Sequence, residues 1–158
     1  MRIGITGHRG LSQEVEQRVR QLLEETIREF DATELVGISC IADGPDAWFA
    51  EAVLRHGGSL EVVVPAEQYR ENLPENHWPV YDELMHRAAE VHHTGMTASD
   101  SQAHMAGSEI LVGLADELLA VWDGKPAWGY GGTADVVSYA QRDGVPVRVL
   151  WPAGATRR

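Results

Sequence analysis

The chain has 158 residues, 44% of them hydrophobic and 23% charged, which fits one globular domain with a substantial core. Thirteen basic against 24 acidic residues leave a net charge of −11 and no basic stripe, which argues against a nucleic-acid partner. No apolar run approaches the ~20 residues that cross a bilayer, and the N-terminus lacks a signal-peptide layout, so a cytoplasmic protein without a membrane partner is expected.

Strands and helices are predicted to alternate. Arg2 to Thr6 reads as a first strand, followed by a helix capped by Ser12 and running to about Phe30. Val15, Val19, Leu22, Leu23, Ile27 and Phe30 fall on one stripe of that helix, with Glu and Arg on the other face. Leu35 to Ile41 is a second strand and contains Cys40, the single cysteine, which suits a buried structural thiol. Asp43-Gly44-Pro45-Asp46 opens a helix that Gly57-Gly58 stops, and Leu60 to Val64 is a third strand ended by Pro65.

Gln68 to Pro79 holds two prolines in a polar and aromatic mix, and suits either a lid or a packed surface loop. A helix over about 80–89, a short strand near Val91 and a helix from Ser99 to Leu114 follow. Leu118 to Trp122 is an apolar, buried strand bounded by Asp123-Gly124. A loop rich in glycine and aromatic residues then leads to a helix over Thr133–Gln141, with Thr133 as its expected N-cap. Val145 to Leu150 closes the sheet, and 153–158 reads as a flexible tail after a domain over 1–152.

About six strands separated by helices imply a single α/β domain, a Rossmann-like, doubly wound and mainly parallel sheet. Such sheets bind ligands beyond the carboxyl ends of their strands. Three loops should meet there. Thr6-Gly7-His8-Arg9-Gly10 offers close backbone approach at Gly7 and a bidentate phosphate donor in Arg9. His8 is either a donor to a ligand or a polar residue closing the strand. In the second loop, with Gly44, Asp46 either complements the helix dipole or accepts hydrogen bonds from a ribose or base. The third runs from Asp123 through Gly131 and Gly132 to Thr133, where a glycine turn before a helix N-terminus makes an anion site. The same features also suit a plain glycine-rich connection.

The chain has neither the G-x-G-x-x-G dinucleotide fingerprint nor a P-loop, and no cofactor is expected. His92 and His93 would point to opposite faces of a strand, and no metal-ligand spacing is visible. Nor does spacing alone support a Ser-His-Asp or Cys-His nucleophile.

Thr6-Gly7-His8-Arg9, the turn at 42–46, and Asp116…Trp122-Asp123-Gly124…Gly131-Gly132-Thr133…Tyr139-Ala140 together resemble the SLOG superfamily. That group includes Lonely Guy phosphoribohydrolases, DprA-like and YpsA-like proteins, and the last motif is also similar to nucleoside 2-deoxyribosyltransferases. The resemblance implies a Rossmann-like fold and a nucleotide or nucleotide-derived ligand. In those enzymes the final motif is similar to G-T-x-x-E, whose glutamate carries the glycosidic chemistry; here that position is Val136. Asp135 stands one residue earlier, about 100° around the helix. YpsA-like relatives often carry Arg-Asn where this chain has Gly107-Ser108.

Two functions follow as expectations. One is binding or sensing of a nucleotide derivative without efficient catalysis. The other is an N-glycosidase or glycosyl-transfer enzyme on nucleoside monophosphates, with Asp135 or Asp46 as its carboxylate. A homodimer or larger homo-oligomer is compatible with either.

Overall fold

The computed structural model describes residues 1–126 and 129–157; Ala127 and Trp128 of the glycine–aromatic loop and Arg158 of the tail lie outside the described residues. Six strands form one sheet: β1 (Arg2–Gly7), β2 (Val36–Ser39), β3 (Ser59–Val64), β4 (Glu90–His93), β5 (Glu117–Val121) and β6 (Val147–Val149). Their spatial order is β4-β3-β2-β1-β5-β6, and every neighbouring pair is parallel. Among the described residues the α-helices are α1 (Gln13–Ile27), α2 (Pro45–His56), α3 (Trp78–Arg87), α4 (Ser101–Leu114) and α5 (Thr133–Arg142). No described helix is long and apolar enough to cross a membrane.

Side-chain alternation along β1 explains the layering. Ile3 and Ile5 pack with Leu119 and Val121 of β5 against Val15, Val19, Leu23 and Ile27 of α1 and Phe49 and Val53 of α2. Gly4 faces the other way, where a Cβ would lie 2.6 Å from Leu111 of α4. Helices α1 and α2 thus cover one face, while α4 and α5 cover the other. Burying each large apolar residue of the α1 stripe contributes roughly 1.5–3 kcal/mol. Ser12 caps α1 as expected, its hydroxyl accepting from the Val15 N–H at 3.3 Å.

Several boundaries differ from expectation for local reasons. Strand β2 stops at Ser39, whose Oγ accepts from the Ile41 N–H at 2.9 Å, and Ile41 takes φ 49°. A β-branched residue is strained in that left-handed region. Asp100, not Ser99, caps α4 by accepting from the Ala103 N–H. Gly132 occupies the cap position of α5, and Thr133 is its first helical residue.

Segment 68–79 forms two short 3-10 turns that bury Tyr69, Leu73 and His77. His77 Nε2 lies 2.9 Å from the Ile41 carbonyl, and Arg70 pairs with Asp82 while stacking over Trp78. This is the packed form of the segment. The tail also turns back: Arg18 donates to the Ala153 carbonyl at 2.7 Å, and the Trp151 indole N–H to that of Ala155.

Candidate functional site

Strand order reverses where α4 returns the chain to place β5 on the open side of β1. A cavity of about 360 Å³ opens at this point, beyond the carboxyl ends of the strands. Each wall comes from a different element. Strand β1 supplies Thr6 and Gly7, and the loop after it supplies Arg9. Cys40, Ala42 and Asp46 come from the β2–α2 connection, and Tyr69 from the turn after β3. His104 and Ser108 of α4, the α5 start at Gly131-Gly132-Thr133 with Val136, and Arg157 of the tail complete it.

Six predicted ligand-contacting residues meet here: Gly7, Arg9, Asp46, Gly131, Gly132 and Thr133. His8, Gly44, Asp123 and Asp135 are not part of this wall. Gly44 faces a neighbouring hollow on the other side of α2, and the other three act through bonds that shape the loops. His8 is buried, with Nε2 3.2 Å from both Asp123 Oδ1 and the Asp123 backbone nitrogen. Its ring meets Trp151 edge-on at 5.8 Å. Asp135 Oδ2 accepts from the Gly131 N–H at 2.9 Å, tying the glycine turn back onto α5. Gly131 needs its glycine twice over: φ is 86°, and a Cβ would lie 2.9 Å from the Ser101 carbonyl oxygen.

The electrostatics of the cavity are mixed. The Thr133 and Ala134 N–H groups precede the first bond of α5, which Asp135 makes to the Gly132 carbonyl at 3.0 Å, and they carry its positive dipole end. Arg9 gives both Nε and Nη2 to Asp43 Oδ1, at 3.0 and 2.5 Å, which fixes its guanidinium at the rim. Burial pushes the Asp46 carboxyl up to about 7, against a hydrogen bond from the Ala42 N–H and the nearby Arg9 charge. Burial likewise raises the Cys40 thiol and the Tyr69 phenol well above their ordinary values, so both stay protonated. His104 is held below the usual imidazole value by burial and then by Arg9. Around neutral pH the cavity therefore offers arginines, helix N–H groups, neutral hydrogen-bonding side chains and, in Asp46, one carboxyl poised between its neutral and charged forms.

Val136 is 2% exposed yet borders the cavity, so the position that carries glutamate in the resembled enzymes is apolar and packed. Sequence reasoning did not find Cys40, Tyr69 or Arg157. Cys40 reads as a buried structural thiol, Tyr69 as part of the lid or packed loop over 68–79, and Arg157 lies in a segment without periodicity. His104 lines the cavity from α4, with its Nε2 2.9 Å from Ser99 Oγ.

Among the described residues, Glu61, Glu90 and His92 bring metal-capable atoms within 4.8 Å of one another. They lie in β3 and β4, and Arg2 from the start of β1 already holds Glu61 through two bonds of 3.0 and 2.9 Å. Burying this carboxylate beside a guanidinium fits an ion-paired brace across the sheet.

The parallel sheet with its cavity at the β1/β5 switch defines a Rossmann-like α/β protein, the fold that the sequence motifs implied. No protein-family model and no curated protein matches the chain. Solved structures do. DNA processing protein A from Helicobacter pylori, described for its single-stranded DNA binding mode, superposes with a TM-score of 0.70 at 18% identity. That match covers 99% of this chain and 68% of the other. DprA from Streptococcus pneumoniae gives 0.69 at 18% identity over 97% of this chain, which spans about half (51%) of that protein. The molybdenum cofactor binding protein from Rippkaea orientalis gives 0.60 at 17% identity, covering 94% of this chain and 74% of that one.

These likenesses correct one expectation. The fold is shared with a protein described for binding single-stranded DNA, so the acidic net charge does not exclude a nucleic-acid partner. Net charge sums the whole surface, whereas a strand is held by local donors such as single arginines and helix N-termini.

Proposed function

We propose that the cavity binds a nucleotide or nucleotide-derived ligand through its phosphate, and that the protein binds or senses this ligand without efficient cleavage. The observation that carries the reading is the α5 N-terminus, with Gly131-Gly132-Thr133, sharing one cavity with Arg9 and with Val136, which stands where the resembled enzymes carry glutamate. Phosphate oxygens would take the first-turn N–H groups, and a guanidinium at the rim would complete a charge-assisted cradle. The cavity volume lies near the lower end of the about 300–1,000 Å³ usual for small-molecule sites. The DprA and molybdenum-cofactor structures support the reading at the level of the fold, as proteins of this architecture that hold a ligand.

Thermal shift with nucleoside monophosphates, ADP-ribose and a short single-stranded oligonucleotide tests it. A ligand at about a hundred times its Kd adds roughly 2.7 kcal/mol. For this chain length that raises Tm by about 5–10 °C. A panel that leaves Tm unmoved rejects the proposal.

One observation favours a second reading. Asp46 lines the cavity with its carboxyl near 7, a suitable value for a general acid that protonates a departing base at neutral pH. Under this reading the protein is a nucleoside-monophosphate N-glycosidase. Asp135, bonded to Gly131, then serves the loop rather than the chemistry. Chromatographic detection of free base, lost in Asp46→Asn, would decide for it; negligible release is the expected result.

A further inference from the structure

A second hollow of about 240 Å³ adjoins the cavity beneath the segment that follows β3. Arg9, Tyr69 and His104 border both spaces, and Asn72, Leu73 and Ser99 complete the second. We propose that this hollow is a subsite for the far half of an extended ligand, a second pentose joined through phosphate to the nucleotide held at α5. The inference rests on the phosphate-binding reading above and names its ligand class: nucleotides that carry a phosphate-bridged sugar or nucleoside.

Three features support it. Arg9 stands at the shared wall, so a phosphate passing from one space to the other must pass a guanidinium that Asp43 already holds in place. The second space has the polarity of a sugar site: the Ser99 hydroxyl and His104 imidazole form a 2.9 Å pair, with the Asn72 amide beside them. Its apolar side comes from Leu73 and the Tyr69 ring, which meets the His104 ring edge-on at 5.8 Å. Because burial and Arg9 keep His104 neutral, this space adds no second cation, which suits hydroxyl groups better than another fully ionised phosphate.

Titration calorimetry on the full chain with AMP, ADP-ribose and the dinucleotide ApA tests the proposal. ADP-ribose presents the second pentose through a pyrophosphate, and ApA presents it through a phosphodiester. At least one should bind about tenfold or more tighter than AMP. Asn72→Trp fills the second space from an exposed position, so the fold should tolerate it, as an unchanged Tm will show. It should remove the extra affinity while leaving AMP within about twofold. Ser99→Ala should remove part of the same gain. Equal affinity for all three ligands in the parent overturns the subsite, as does an equal loss for all three in Asn72→Trp. Failure of every ligand, AMP included, overturns the phosphate reading together with it.

Discussion

His8 Nε2 lies 3.2 Å from Asp123 Oδ1 with both side chains almost fully buried, joining loops 115 residues apart in sequence. The pair locks the end of β1 to the end of β5, the two parallel strands between which the strand order reverses. The Asp123 carboxylate also accepts from the Lys125 N–H at 3.0 Å, so one residue anchors the start of the glycine loop as well. His8→Ala should therefore lower stability by roughly 1–3 kcal/mol, because it leaves a buried carboxylate short of a partner. Denaturant melts of parent and variant measure this directly.

The same histidine predicts an acid limb to the stability curve. Burial, and then the Arg157 charge, hold His8 below the ordinary imidazole value. The unfolded chain takes a proton near pH 6.5 that the folded state resists, so stability is present above that pH and lost as pH falls below it. His8→Gln should flatten the decline in Tm between about pH 6.5 and 5. His104, shifted the same way, should retain a residual slope. An unchanged slope in the variant would place the acid sensitivity elsewhere.

Asp46 works in the opposite sense. Its folded value of about 7 stands above that of an unfolded aspartate, so its contribution is lost as pH rises through 7. Asp46→Asn should raise stability at pH 8 by roughly 1–2 kcal/mol, after allowing for water in the cavity, and by little at pH 4. Tm measured at the two pH values separates this from a general effect of the substitution.

The glycine turn should behave as a clamped unit. Gly131→Ala meets both a positive φ and the Ser101 carbonyl, and should cost roughly 1–3 kcal/mol. Asp135→Ala removes the acceptor of the Gly131 N–H and should weaken ligand binding more than it lowers Tm. Calorimetry with the best ligand of the panel, run beside melting curves, tests that ratio.

Val136 offers a direct test of the binding-without-cleavage proposal. It is packed with Val137 and Ala140 along the buried side of α5 yet borders the cavity. Val136→Glu should fold with a lower Tm, by a few kcal/mol, since the carboxylate can reach the cavity only after leaving an apolar neighbourhood. Base release should remain negligible in the parent; free base detected from the parent would favour the glycosidase reading.

Much of the architecture is written locally. The α1 stripe of Val15, Val19, Leu23 and Ile27, the apolar runs at 60–64 and 118–121 and the Gly-Pro helix start at 44–45 each depend on neighbours within a few turns. Periodicity therefore exposes them. That position 136 is valine, where the resembled enzymes carry glutamate, came from the motif resemblance and not from periodicity. Contacts between distant segments were legible in neither way. Nothing near Ile41 announces a left-handed residue, because Ser39 and His77, the latter 36 positions away, hold it there. The bond from the Gly131 N–H to Asp135 depends on how the glycine turn folds, and Arg157 reaches the cavity only because the tail folds back. The net charge of −11 is a property of composition, and it does not by itself exclude a nucleic-acid partner, because binding depends on where charges stand. Sequence by itself determined the elements and the glycine turns, since local sterics and hydrophobic period decide those. Only the tertiary structure decided which loops share a wall, because that depends on the order of the strands and the return of α4 across β1.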